Sequence, residues 1–504
     1  MRMHFHQLVS EAAGRRPDAP ALTYGDTTVG YAELWSHVAA FGAALHRLGL
    51  RRGERVAIHL EKRIETVVAM FGTTAAGGVF VPVNPLLKAK QLAHILGDCE
   101  VRVLVTTPER LALLGDHGVE HVVLVGEEWD ALVAQPGELP DHGVVDVDMA
   151  AILYTSGSTG LPKGVVLSHR NLLAGAESVS AYLGNHPGDV ILAALPLSFD
   201  AGLSQVTTAF HAGAHVVLVN HLLPRDIVTL CAKHGVTGLT CVPPLWIALA
   251  DLPWPAEATR TLRYFANTGG RMPRATLDRL RALLPSAKPF LMYGLTEAFR
   301  STYLDPEEVD RRPDSIGKAI PGAEILVVRE DGSRCDPGEH GELVHRGALV
   351  SLGYWNDPVR TAERFRPAPG RDGALCTPET AVYSGDVVVA DEDGFLYFVS
   401  RKDEMIKTSG YRVSPTEIEE AVYDTGLVRD AVALGVEDPR IGQVIALVVS
   451  PAGDGDVDPD ALRRVLAKQL PGYMVPRRVT VRGEIPRSPN GKFDRALLRR
   501  ELAA

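Results

Sequence analysis

Residues 154 to 169 read YTSGSTGLPKGVVLSH, and the six residues from Thr155 to Gly160 carry nothing larger than a hydroxyl-bearing side chain. Apolar, strand-like runs flank this bare segment: Ala150 to Leu153 before it, Val165 to Leu167 after it. Small residues let backbone N–H groups turn toward an anion without obstruction. Thr155, Ser156, Ser158 and Thr159 add hydroxyl donors, and Lys163 adds a full positive charge. By composition this is a phosphate cradle. It is not a Walker loop, which needs GxxxxGK[ST]; here Pro162 precedes the lysine and Gly164 follows it. The plainer reading, a flexible Gly/Ser turn, does not account for the closing Pro-Lys-Gly.

The surrounding pattern predicts a parallel sheet covered on both faces. Helices are expected over 31–48, 65–76 and 89–96, and strands over 55–60, 79–83, 101–106, 122–125 and 150–155. After Ile325 turns become frequent and strands shorter, as in a mostly antiparallel region. Beyond Ser400 the pattern predicts helices over 415–423 and 460–469 and strands over 431–436, 444–449 and 479–481. The expected architecture is α/β: a large N-terminal domain of parallel α/β subdomains plus a small β-rich subdomain over 1–402, then a small mobile α+β domain over 403–504.

Bulk chemistry narrows the function. With 52 Lys and Arg against 62 Asp and Glu the net charge is −10, which disfavours nucleic acid as a partner. The longest apolar stretch, Val67 to Val83, is interrupted by Gly72, Gly77 and Gly78, so no membrane span is expected. The start has no apolar signal core, and a cytoplasmic protein is expected. Cys99, Cys231, Cys241, Cys335 and Cys376 form no CxxC pair and read as reduced, buried thiols. His117 to His121 spells HxxEH, a zinc motif that requires a helix, but Gly118 and the strand expected at 122–125 speak against one.

TSGSTGLPKGV closely resembles the signature loop of the adenylate-forming superfamily of acyl-CoA synthetases, luciferases and nonribosomal peptide synthetase adenylation domains. Further stretches extend the resemblance over nearly the whole chain: YGLTE at 293–297, GELVHRGALVSLGYWNDPVRT at 341–361, YSGD at 383–386, RKDEMIKTSGYRVSPTEIE at 401–419 and PRSPNGKFDR at 486–495. The resemblance implies an AMP-forming ligase using ATP and Mg2+. A carboxylate attacks the α-phosphate, giving an acyl-adenylate, and a phosphopantetheine thiol then takes the acyl group. It further implies that Thr155, Ser156, Thr159 and Lys163 hold the β- and γ-phosphates and that Tyr293 stacks on adenine, with Gly269 also beside the nucleotide. Thr296 would meet the α-phosphate, Glu297 the magnesium, Asp386 the ribose hydroxyls, and Arg401 the ribose or phosphate. Lys492 would bridge the substrate carboxylate and the α-phosphate. Asp403 falls at the family's pivot and Gly410 in its thiol tunnel. The family usually has glycine where this chain has Ser400, which costs little unless the backbone there needs positive φ.

PLSFDAG at 196–202 bears on the acid. Adenylation domains for amino acids show Phe-Asp here, and the aspartate binds the substrate's ammonium, whereas Asp200 capping a helix over 201–210 is the structural alternative. The same alignment puts Ala201, Ser204, Cys241, Ala266, Thr268, Met292, Arg300 and Ser301 around the acid, mostly small or medium groups. Arg300 is unusual there: it either points outward or pairs with Asp200 or with a substrate acid. The run MYGLTEAFRSTYL resembles free-standing enzymes that load proline onto carrier proteins, and an acyl-CoA ligase group from exopolysaccharide gene clusters. The expected activity is adenylation of a small amino or imino acid, proline leading, and transfer to a separate carrier protein. The alternative is an acyl-CoA synthetase acting on a small carboxylic acid with free coenzyme A.

Overall fold

The computed structural model describes residues 3–503 apart from 88, 116, 136, 156–161, 371–378, 402, 403, 405, 409, 410, 439–441, 454, 471, 489 and 490. Two sheets dominate. One has seven strands, in the spatial order Gly353–Tyr354, Lys163–Ser168, Met149–Thr155, Val79–Pro82, Arg55–Ile58, Val103–Thr106, His121–Leu124. Its inner strands are parallel, and Met149–Thr155 meets Lys163–Ser168 antiparallel, with Thr155 opposite Lys163. The second sheet has nine strands. Six of them, including Val190–Ala193, Gly238–Cys241, Tyr264–Asn267 and Lys288–Tyr293, run parallel.

Aromatic packing joins these sheets through the helices between them. Phe5 stacks on Phe71 with ring centroids 4.4 Å apart, and Phe71 meets Phe210 at 5.5 Å. The helix His169–Leu183 starts where Ser168 and Asn171 form a reciprocal capping box, and it ends at Gly184, φ +62°. Its neighbour Asp200–Ala212 starts directly beneath the loop that precedes it. A Cβ on Gly202 would come 1.9 Å from the Pro196 carbonyl oxygen, so only glycine permits that approach.

The expected elements appear, with boundaries moved by one to three residues: Tyr31–Arg47, Ile64–Ala75 and Ala89–Asp98 are helical. The region after Ile325 is antiparallel as expected, built from Ala323–Val328, His340–Gly347, Phe365–Pro367, Thr380–Ala390 and Leu396–Arg401. A fourth sheet follows, with Ile406–Thr408, Tyr411–Val413, Val428–Asp438 and Gly442–Pro451 antiparallel and Arg478–Val481 added in parallel. Cys99, Cys231 and Cys241 are free and buried, Cys335 is free and half-buried, and Cys376 lies outside the described residues. His121 opens a strand, so the HxxEH letters do not fall on a helix. Among the described residues no helix is long and apolar enough to cross a membrane.

Candidate active site

Three clusters of buried charge meet beyond the carboxyl ends of the parallel strands, where a doubly covered sheet binds its ligands. The first surrounds Asp386, on the long strand Thr380–Ala390. Tyr293, the last residue of its own strand, donates its hydroxyl to Asp386 Oδ2. Arg401, opposite Asp386 in the next strand, brings Nη1 to 3.3 Å of Oδ1, off the line of a hydrogen bond, so Oδ1 is buried without one. Burial raises the Asp386 carboxyl above its ordinary value, opposed by Arg401 and the Tyr293 hydroxyl. Ser400 lies in extended strand and not at positive φ, which is why its side chain is tolerated.

The second cluster is centred on Glu297, in the short 3-10 turn Thr296–Ala298. Lys163 Nζ lies 3.1 Å from Glu297 Oε1 and donates to the Tyr354 hydroxyl at 2.8 Å, while that hydroxyl donates to Glu297 at 2.6 Å. Burial works against the Glu297 carboxylate, yet Lys163 and Tyr354 outweigh it and hold the group below its ordinary value. Tyr354 was not singled out from the sequence; it sits in GYWND, where nothing local marks it as a partner of Glu297. Thr155 ends its strand with Oγ1 buried and without a hydrogen-bond partner. Ser156 and Thr159 lie outside the described residues, as do Asp403 and Gly410.

The third cluster holds Asp200 and Arg300. Arg300 Nη1 is 3.2 Å from Asp200 Oδ2, and the two side chains are only 2% and 4% exposed. Arg300 therefore points inward. Thr296 Oγ1 stands 3.4 Å from Asp200 Oδ1. Burial raises the Asp200 carboxyl, opposed by the charges of Arg300 and Lys492. Asp200 is the first residue of its helix and the cap position falls to Phe199, so Asp200 is not the helix cap. Lys492 reaches this cluster from the C-terminal region: its Nζ lies 5.8 Å from the Phe199 ring, and a Cβ on Gly269 would be 3.7 Å from its Cε. Gly269 has φ +75°, which suits glycine.

Ala201, Ser204, Met292 and Arg300 line a narrow cavity behind Asp200, with room for about one water. Gln205, Thr208, Thr240 and Tyr264 line it too, though the sequence did not single them out. Cys241, Ala266, Thr268 and Ser301 do not. Strand side chains alternate, so Thr240 faces the cavity while Cys241 packs with Trp246 and Leu249 on the other side. Ala266 packs in the core between the two large sheets and Thr268 lies past the end of its strand. Ser301 Oγ is engaged by His345 Nδ1 at 3.0 Å.

A carboxylate held by a lysine, a second carboxylate beside an aromatic hydroxyl and a lysine arriving from the C-terminal region together fit an AMP-forming acid–thiol ligase. The chain belongs to the AMP-binding enzyme family, whose pattern matches residues 9–355; the family's C-terminal domain matches residues 417–492. It is 33% identical to a long-chain-fatty-acid–CoA ligase of Salmonella typhimurium over 98% of this chain and 93% of that protein. It is 30% identical to an L-proline–[L-prolyl-carrier protein] ligase of Pseudomonas fluorescens over 99% of both. The O-succinylbenzoate coenzyme A synthetase of Bacillus subtilis, solved with ATP and magnesium ion, superposes with a TM-score of 0.86 at 26% identity, covering 100% of both chains.

Proposed function

We propose that this enzyme adenylates a small amino or imino acid, proline the leading candidate, and passes it to the phosphopantetheine thiol of a separate carrier protein. The observation that carries the reading is Asp200: a buried carboxylate set beside Thr296 and within the field of Lys492, where a charged amine next to the reacting carboxylate needs an anion. The likeness to the proline ligase supports it.

In the first half-reaction the substrate carboxylate attacks the α-phosphate of ATP and pyrophosphate leaves. Thr155, Ser156, Thr159 and Lys163 receive the β- and γ-phosphates, and Thr296 faces the α-phosphate. Tyr293 and Gly269 border the adenine. Asp386 accepts from the ribose hydroxyls, which suits an Oδ1 that is buried without a hydrogen bond and has Arg401 as its ion-pair partner. Glu297 fits magnesium, a hard cation commonly held by one carboxylate plus phosphate oxygens. Magnesium, when bound, offsets phosphate charge. Lys492 lies between the two like-charged reactants and offsets their repulsion. In the second half-reaction the thiol attacks the acyl carbon and AMP leaves. We place the domain boundary and pivot at Asp403, with Gly410 lining the thiol's path.

One observation favours a second reading, an acyl-CoA synthetase for a small carboxylic acid with free coenzyme A. Arg300 already meets Asp200, so an acid without an amine leaves no buried charge unpaired. Pyrophosphate exchange over a panel of amino acids and plain acids, followed by thioester formation with carrier protein or coenzyme A, decides between them. Preference for a plain acid and release on coenzyme A overturns the first reading.

A further inference from the structure

The chain is bent to bring Arg300 inward. Phe299 has φ +57° and ψ −53°, a conformation that a bulky residue rarely adopts. Two glycines make room for that turn. A Cβ on Gly175 would lie 2.5 Å from the Phe299 ring, and one on Gly294 would lie 3.0 Å from the Arg300 Cα. The guanidinium then directs Nη1 to Asp200 and to the Phe299 carbonyl, each at 3.2 Å, while Nε is buried with no hydrogen-bond partner. The other charged groups that act on Asp200 are Lys492 and Glu297.

A substrate ammonium thus meets a carboxylate that already has a cation on Oδ2 and the Thr296 hydroxyl 3.4 Å from Oδ1, with the Ala201 backbone N–H also on it. We propose that Arg300 is the specificity-determining residue of the acid pocket: an internal counter-cation that competes with the substrate's ammonium for Asp200 and so admits small acids lacking an amine alongside amino acids. This rests on the reading of Asp200 as the amine's partner. An unpaired carboxylate in a dry pocket is costly. With Arg300 present Asp200 is satisfied whichever acid enters, and discrimination is compressed. Without Arg300, an ammonium-bearing acid satisfies it better than an acid with no amine.

The test uses the full chain and compares kcat/KM in pyrophosphate exchange for proline and for cyclopentanecarboxylic acid, its amine-free analogue of like shape. Close charge pairs couple strongly enough that R300M should raise the proline-to-analogue ratio by about tenfold or more. R300Q, which keeps size and hydrogen bonding, should move it in the same direction, and R300K should restore the wild-type ratio. The double variant D200N/R300M removes both charges and should lose the gain. A ratio that falls or stays level in both R300M and R300Q overturns the proposal, because damage to packing alone lowers both substrates together. Failure of the substrate reading shows separately, as a wild-type enzyme that exchanges no amino acid and a D200N variant that affects both acids equally.

Discussion

Asp200 and Asp386 are both buried carboxylates with a hydroxyl and an arginine beside them, yet their surroundings differ in one respect. The arginine of Asp386 is Arg401, whose side chain is 38% exposed and stands at the end of the strand leading into the C-terminal region. The arginine of Asp200 is Arg300, sealed within the large domain. One carboxylate keeps an oxygen without a hydrogen bond, beside a solvent-screened cation; the other is neutralised in place by a group that cannot leave for water. The same residue pair therefore serves two ends. Under the proposed roles, the first arrangement leaves acceptor capacity for a ligand and the second sets the charge that a ligand must match.

The sharpest way to break this comparison is Lys492, a C-terminal cation that acts on the acid side. Lys492→Ala should lower acyl-adenylate formation by roughly 10²–10³-fold or more, as expected when a preorganised charge is removed from a transition state. Thioester formation from supplied acyl-adenylate should largely survive. Equal loss in both assays would show that Lys492 does not serve the first half-reaction alone.

Asp200→Asn should lower kcat/KM for the amino acid by about 30-fold to several thousand-fold, since losing one partner of a buried charged pair costs about 2–5 kcal/mol. An amine-free acid of the same shape should be affected far less. Asp386→Asn is the matching change on the nucleotide side. It should raise KM for ATP by about 10- to 150-fold, the worth of a charge-assisted hydrogen bond of about 1.5–3 kcal/mol, and leave the ranking of acids unchanged. A shift in acid preference in this variant would mean that the two carboxylates are not independent.

The smallest expected effect on activity sharpens the comparison from outside it. Lys62 is a buried cation with no carboxylate in contact among the described residues; its ammonium donates to the carbonyls of Ala194 at 2.8 Å and Leu195 at 3.2 Å, just ahead of the segment that carries Asp200. Burial lowers its pKa from 10.5 to about 7. Between about pH 7 and 10.5 the unfolded chain therefore binds the extra proton, so this group's contribution to stability is fully present above pH 10.5 and is lost as pH falls toward 7. Lys62→Met should remove a positive slope of at most about 1.4 kcal/mol per pH unit in that window. Thermal unfolding followed from pH 7 to 10 checks this, and an unchanged slope would show that Lys62 stays charged.

Much of this protein is legible in its sequence. The bare loop from Thr155, the strand–helix alternation before it and the turn-rich strands after Ile325 are local signals, set by side-chain size, periodicity and backbone freedom. Each therefore survives in the sequence as a string. The family motifs likewise placed Tyr293, Glu297, Asp386 and Lys492 near one site. What only the tertiary structure decided was partnership across distance. Tyr354 on Glu297, Lys62 on the Ala194 and Leu195 carbonyls and His345 on Ser301 join residues far apart in the chain. Which of Thr240 and Cys241 faces the cavity depended on strand register against neighbours. Arg300 is the clearest case: its composition allowed an outward, a paired or a substrate-binding role. The choice fell to the turn at Phe299 and to space left by Gly175 and Gly294, because burial of a charge is settled by what surrounds it in three dimensions.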